Sequence, residues 1–261
     1  MTRGRAWGDL VDREGGPTLF AVANEEVPLP RELRRHEHAR GQLFASSMGL
    51  LAVETEAGRW LMPPDCGVWI PPGQRHGAVA QGATSGWSLY VSAAASRRLP
   101  ASPVVVRVTA LLREAIARAA TWVPKGRALT LAEERVADVI VDEIRSAPRE
   151  RLHLPMPRTP SLVSVASRLV AVPDDPRGLA AWAKGAGMSP RSFTRHFRAE
   201  TRVPFSAWRA QLRMLVAVER LAAGESVSRV GAALGYQSPS AFTAAFRRML
   251  GASPTRFGRE E

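Results

Sequence analysis

One cysteine among 261 residues excludes two kinds of architecture. Cys66 can form neither an internal disulfide nor a thiolate zinc site, so a disulfide-stapled fold and a zinc finger are ruled out, and a reducing compartment fits. Long apolar runs are missing too: no stretch of about 18 apolar residues occurs. Between Met1 and Phe20 the chain carries Arg3, Arg5, Asp9, Asp12, Arg13 and Glu14 where a secretory leader would be apolar. The expectation is a cytoplasmic, nucleoid-associated protein with no membrane partner. Lysine is scarce, with only Lys125 and Lys184 among the 36 basic residues, and the 24 acidic residues leave a net charge of +12. What is present is ordinary for a soluble chain: 45% apolar residues, and a length that accommodates two domains at roughly 100 to 200 residues each.

The charge is unevenly placed. Residues 158–261 hold 16 basic against 7 acidic residues, net +9, while residues 1–157 hold 20 against 17, net +3. A localised positive balance attracts polyanions through long-range attraction and counterion release, which puts nucleic acid first among partners and an anionic membrane surface second.

Residues 1–26 form an N-terminal arm without an interpretable pattern. Residues 27–95 read as an all-β unit, with short apolar stretches such as Leu50 to Thr55 and Gly67 to Pro71 separated by Ala57-Gly58, Pro63-Pro64-Asp65, Pro71-Pro72-Gly73 and Gly82. Within residues 103–150 the apolar positions take helical spacing, Val105, Val108, Leu112, Ile116 and Ala119 and then Val136, Val139, Ile140 and Ile144. They define two amphipathic helices joined by Pro124-Lys125-Gly126, which pack on the β unit, relay a signal or pair subunits into a homodimer. Residues 151–160 contain three prolines in the nine residues from Leu152 to Pro160 and read as an extended linker. Residues 161–261 read as short helices with Gly or Ser-Pro boundaries.

Two segments of that last region match. Ser189 to Arg198 and Ser238 to Arg247 share S-P-x-x-F-T-x-x-F-R at an offset of 49 residues. In each, the serine is a helix N-cap and the proline occupies the first helical position, where its missing N–H is no loss. The phenylalanines, four apart, share a buried face, which in the first copy turns Arg191, Thr194, Arg195 and Arg198 outward. Upstream of each copy lies a short helix and a glycine turn, through Ala183 and Gly187 or through Gly231 and Gly235. This makes two helix-turn-helix units. A single helix from Phe205 to Leu221 spaces them, and two such units can occupy successive major-groove segments roughly 34 Å apart.

At this point the chain resembles the AraC/XylS family of bacterial transcription regulators. The resemblance covers residues 175–257 and rests on A-x-x-x-G-M-S at Ala183 to Ser189, F-x-x-W at Phe205 to Trp208, L-G-Y-x-S-x-S-x-F at Leu234 to Phe242 and G-x-S-P-x-x-F at Gly251 to Phe257. Arg202 stands where the family usually has Gly, and Gly231 where Ala is usual. The resemblance implies that Arg191, Thr194 and Arg195 face bases, with Ser240, Thr243 and Ala244 their counterparts. Arg195 can donate bidentately to guanine, whereas Ala244 offers only a methyl. The first unit is therefore expected to carry most sequence information, and the second mainly phosphate contacts through Ser238, Arg247 and Arg248. Ser189, Ser192, Arg198, Arg209, Arg213 and Gln237 complete the DNA-binding set, the helix-surface arginines among them being equally suited to pairing with acids. The family likeness also implies a small-molecule effector and, for an activator, contact with RNA polymerase.

In the β unit, His36-x-His38 with Gln42, and P-x-G-x-x-H from Pro71 to His76, resemble the two cupin motifs. This implies a cupin-like barrel in which His36, His38, Gln42 and His76 converge, with Trp69 lining the same effector pocket. The fold class expected is thus α+β multidomain: a cupin-like β-barrel, central amphipathic helices and an all-α double helix-turn-helix domain. Three imidazoles suit a divalent metal, the one cofactor the set implies, although Gln42 stands where a metal-binding cupin usually has Glu and so removes a charge. Against a ligand-responsive regulator stands the alternative of a metal-dependent cupin enzyme, an oxygenase or isomerase, fused to a DNA-binding module.

Overall fold

The computed structural model describes residues 8–13, 15–27, 32–122 and 127–258. The Pro124-Lys125-Gly126 turn and residues 1–7 of the arm lie outside them. The chain divides into two compact units, Met1–Thr55 with Trp60–Glu150, and Glu56–Arg59 with Arg151–Glu261.

The first unit runs α1 (Gly8–Val11), β1 (Leu19–Val27), β2 (Glu32–His36), β3 (Gly41–Thr55), β4 (Gly58–Met62, of which Gly58 and Arg59 belong to the second unit), β5 (Cys66–Ile70), β6 (His76–Val91), α2 (Ala93–Ser96), β7 (Val104–Arg107), α3 (Ala110–Ala119) and α4 (Leu131–Ser146). Its frame is the antiparallel pair β3 and β6, in register from Gly41 opposite Val91 to Thr55 opposite His76, with irregularities between Ser46 and Leu50. β6 also pairs with β1 and β2, and β3 with β5, which in turn pairs with β7. At the irregularity the strands approach closely: a Cβ on Gly86 would sit 2.0 Å from the Ala45 carbonyl oxygen, so only glycine fits.

Alternation assigns the two faces of this sheet different neighbours. Leu43, Ala45, Trp69, Leu89 and Val91 point to one side and form a core with Leu112, Ile116, Ile140, Val141 and Ile144 of α3 and α4. The helices start where caps allow. Thr109 accepts from the Leu112 N–H, and Thr130 with Glu133 forms a reciprocal capping box. Of the outcomes that the spacing leaves open, packing of the apolar helix face on the β unit is what the structure has, except at Val139, which is exposed. Val104–Arg107, included in the helical segment by spacing, is instead strand β7, because a run of three valines favours pleated backbone over helix. Gly82, expected as a turn, falls inside β6, and the sheet begins at Leu19 rather than residue 27.

The arm acquires an explanation that its sequence pattern withheld. Arg40 is fully buried, and its guanidinium donates to the carbonyls of Leu10 (2.9 Å), Pro17 (2.8 Å) and Gly15 (2.8 Å). Carbonyl dipoles satisfy the cation, and Leu10, Gly15 and Pro17 are tied to the start of β3.

The second unit comprises β8 (His153–Pro155), α5 (Pro160–Ala171), α6 (Leu179–Gly185), α7 (Pro190–Thr201), α8 (Phe205–Ala222), α9 (Val227–Ala233), α10 (Pro239–Leu250) and a 3-10 turn (Pro254–Phe257). The stretch read as a linker is a correction. It contains β8, with Leu152 and Leu154 buried, held by Trp208, whose Nε1 donates to the Pro155 carbonyl at 2.6 Å. Prolines at its margins leave an extended strand possible while excluding a helix. Each Phe of the repeat is fully buried. The Phe193 and Phe197 rings meet Phe205 edge-on with centroids 4.9 and 5.1 Å away, and Phe242 meets Phe246 at 5.5 Å. Among the described residues no helix is long and apolar enough to cross a membrane.

Candidate functional site

Both halves of the repeat are built as their residues dictate. Ser189 and Ser238 cap α7 and α10, accepting from the N–H groups of Ser192 (3.2 Å) and Ala241 (3.2 Å), each with proline in the first turn. The preceding turns take positive φ at Gly187 and Gly235, and in both the next residue bonds back into the first helix, Met188 N–H to Ala183 and Tyr236 N–H to Gly231. Gln237 is one extra residue in the second turn. It shifts the spacing of the copies from 48 at Ala183 and Gly231 to 49 at the serines.

On α7, Arg191, Arg195 and Arg198 are exposed and Ser192 and Thr194 half-buried. The Thr194 hydroxyl donates to the Pro190 carbonyl at 2.8 Å, which fixes its rotamer. Together with Arg202 these arginines line one open groove, floored in part by Leu179 of α6. Among the described residues no ion pair involves any of the four. The one acid of α7, Glu200, faces elsewhere: its carboxylate accepts from the N–H groups of Arg158 (2.6 Å) and Thr159 (3.0 Å), just ahead of α5.

α10 presents a different surface. Ser240, Ala244, Arg247 and Arg248 are exposed, Thr243 is half-buried, and the Ser238 and Ser240 hydroxyls bond each other at 3.0 Å. Gln237 is exposed in the turn. Arg209, placed among the DNA-binding candidates, is engaged internally. Its guanidinium donates to the carbonyls of Arg177 (2.8 Å) and Asp175 (2.6 Å), tying α8 to the loop before α6. In that loop Arg177 lies over the Trp182 ring at 3.9 Å and, through its hydrogen bonds, holds the Asp175 carboxyl at about 2. Arg213, half-buried, has no acid partner among the described residues. Arg202 was missed as a candidate, although the 49-residue offset places it opposite Gly251.

In the first unit the structure brings together His36, His38 and His76, whose ligating nitrogens lie within 4.8 Å of one another. The His38 and His76 rings are 5.0 Å apart, and His36 is 4.6 Å from His76. Two backbone carbonyls set the tautomers. His38 Nδ1 donates to Arg40 O at 2.6 Å and His76 Nδ1 to Gln74 O at 2.8 Å, so in the neutral rings both Nε2 lone pairs face inward. Burial favours the neutral forms, pushing His76 down to about 4 and lowering His38. Both Nε2 atoms meet the side-chain oxygen of Gln42, at 3.0 and 3.1 Å, and the Gln42 amide nitrogen donates to the Tyr90 hydroxyl at 3.2 Å. Burial raises Tyr90 to about 12.

Three acceptors facing one another are stable around a cation. Neighbouring ligands about 2.1 Å from an ion sit about 3 Å apart, the spacing of the Gln42 oxygen from the His38 and His76 Nε2 atoms, while the three histidines spread to 4.8 Å and would have to draw in to hold a divalent transition metal together. The same positions also satisfy a metal-free network if the Gln42 amide is turned over, its N–H groups donating to both imidazoles and its oxygen accepting from Tyr90. Trp69 does not join this cluster, which corrects the expectation. It pairs with Leu43, one position away from the Gln42–Ile70 pair, so alternation sends its ring to the opposite face. There it packs under α3 and α4, with Nε1 donating to Pro100 O.

Residues 182–260 match the helix-turn-helix domain family. The HTH-type transcriptional regulator NimR of Escherichia coli (strain K12) is 30% identical over 222 residues, covering 85% of this chain and 81% of NimR. The HTH-type transcriptional regulator RipA of Corynebacterium glutamicum is 37% identical over 122 residues, covering 47% of this chain and 35% of RipA. The solved DNA-binding domain of AdpA in complex with a target DNA is 30% identical, covering 36% of this chain and 86% of that one, with a TM-score of 0.31. These curated relatives are named as regulators of transcription, not enzymes.

Proposed function

The chain belongs to the AraC-type family of helix-turn-helix transcription regulators, DNA-binding proteins, and from that premise we propose a division of labour between its two units. α7 reads sequence, α10 holds the backbone, and an effector in the N-terminal unit sets the response. The observation that carries the reading is the arginine face of α7, without an acid partner among the described residues and with Arg195 Nη2 meeting only its neighbour His196 Nε2 at 3.4 Å, compared with the Ser240 and Ala244 face of α10. An exposed Arg195 can satisfy guanine O6 and N7 together, whereas hydroxyl and methyl groups discriminate weakly. α8, 18 residues long, is a stiff spacer between them.

The test is binding of the full chain to the DNA upstream of its own gene and to a scrambled duplex at one salt concentration. Wild type is expected to prefer the upstream DNA, and Arg195→Ala to lose the preference. Equal binding of both duplexes by wild type would refute sequence reading.

For the effector, the convergence of His36, His38, His76 and the Gln42 carbonyl favours a divalent transition ion. Bound there, the ion would cross-link the end of β2, the start of β3 and the start of β6. Control requires the ion to favour one of two states. Equilibrium dialysis with zinc or cobalt, followed by a DNA titration, should give one ion per chain, lost in His76→Ala, and a changed DNA affinity. Retention of no ion would refute the metal reading and leave an organic effector. A bound ion with unchanged DNA affinity would refute control.

A further inference from the structure

We propose that Arg202, the residue that closes α7, is a DNA-backbone anchor, gripping a phosphate beyond the bases that α7 reads. The proposal rests on the reading of α7 as the base-reading helix.

The internal repeat supplies the comparison. Arg202 and Gly251 end equivalent helices, both in left-handed backbone, at φ 62°, ψ 7° and φ 74°, ψ 4°. Each N–H closes the same bond, Arg202 to Arg198 O at 2.9 Å and Gly251 to Arg247 O at 2.8 Å. Glycine takes this conformation without steric penalty, and a side chain does not. Among the described residues only Asp65 and Arg202 have positive φ without being glycine. The backbone therefore argues against a side chain at 202, and the fold offers no compensation. Arg202 is exposed and, among the described residues, its guanidinium has no hydrogen bond, ion pair or aromatic contact.

Its surroundings point outward. Arg191, Arg195, Arg198 and Arg202 recur at intervals of four, three and four, one stripe of a helix, and line the same groove. Four cations on one face repel one another, and a bound polyanion relieves that repulsion. Eleven residues at about 1.5 Å each place Arg202 about 16 Å along the axis from Arg191. The N-terminal residues of a recognition helix meet base edges, and the major groove is about 12 Å wide. The far end of α7 thus stands at the phosphate wall, where a guanidinium fork matches phosphate geometry.

The test uses the full chain, a duplex selected by the wild type from a random pool, and a scrambled duplex, titrated across a salt series. Arg202→Gly should melt no lower than wild type, because it removes strain. It should bind both duplexes about tenfold more weakly and flatten the slope of log K against log salt by about 0.9. Arg202→Lys should keep the wild-type slope. A wild-type slope in Arg202→Gly, or a loss confined to the selected duplex, would overturn the anchor. Arg195→Ala separates the two ideas. If it loses selectivity while Arg202→Gly behaves as wild type, only the anchor fails, and if it keeps full selectivity, the reading of α7 fails and the anchor with it.

Discussion

The two helix-turn-helix units are one design on the inside and two on the outside. Serine cap, proline, paired phenylalanines and left-handed closure recur at the same positions in α7 and α10. Of the exposed counterparts Arg198 and Arg247 match, but three others do not: Arg191, Arg195 and Arg202 correspond to Ser240, Ala244 and Gly251 across the repeat. Buried positions are constrained by packing that each unit must satisfy to exist, so they repeat. Outward positions answer only to what binds there. The difference between the units is therefore a record of ligand chemistry rather than of folding, and it can be tested by moving residues between the copies.

The largest effects should come from the shared interior. Phe193→Ala and Phe242→Ala each remove a fully buried ring and should each destabilise the helical unit by about 3–5 kcal/mol in denaturant titration. Equal losses would confirm that the interiors are equivalent. A loss below about 1 kcal/mol in one of them would break the comparison at its root.

Next are the readers. Arg195→Ala should lower discrimination at one base pair of its half-site by about 1–3 kcal/mol, measured with a panel of single-base operator variants. Ala244→Ser should change no position by more than about 0.5 kcal/mol. Equal sensitivity of the two half-sites to operator changes would erase the asymmetry.

The caps should matter less and alike. Ser189→Ala and Ser238→Ala each free one backbone N–H at a helix start and should cost about 1 kcal/mol apiece in thermal melts. Ser238 also bonds Ser240, so a clearly larger loss there would show that the second cap carries an additional network.

How much of this was legible follows from the range of the interactions. The caps, the proline starts and the phenylalanine spacing act within one turn, and they stood in the sequence at the positions where the structure has them. Trp69 was misplaced because pocket and core occupy opposite faces of one strand, and a shift of one residue exchanges them. Arg209 looked like a surface cation because its acceptors, Asp175 O and Arg177 O, lie 34 and 32 residues away. Arg40 and residues 10–17 were opaque for the same reason. Carbonyl acceptors leave no mark on side-chain patterns. The three histidines were legible as a group since spacing two apart in extended chain puts His36 and His38 together, but their tautomers depend on carbonyls that only the fold brings into place.

The smallest prediction bears on the first helix of each unit, where Ala183 and Gly231 are counterparts. Glycine within a helix costs up to about 1 kcal/mol relative to alanine, so helix propensity alone favours Gly231→Ala. Packing opposes it. A Cβ at 231 would lie 3.0 Å from Phe242 Cβ and 3.1 Å from its Cγ, and Phe242 is fully buried between α9 and the rest of the unit, so the ring must yield by a few tenths of an ångström. In the first copy of the repeat Phe193 is the counterpart of Phe242 and Ala183 that of Gly231, and both are fully buried, so one copy already holds a methyl at this position. With Gln237 lengthening the second turn, α10 is positioned by a different connection, and the close approach of Phe242 to Gly231 accompanies that change. The two terms should nearly cancel, leaving Gly231→Ala within about 0.5 kcal/mol of wild type in a thermal melt, while Ala183→Gly, which loses a fully buried methyl as well as helix propensity, should lose about 1–2 kcal/mol. Deleting Gln237 together with Gly231→Ala should make the second unit tolerate the methyl as the first does. A full gain of about 1 kcal/mol from Gly231→Ala alone would mean that Phe242 has room to move and that the glycine is not a packing requirement.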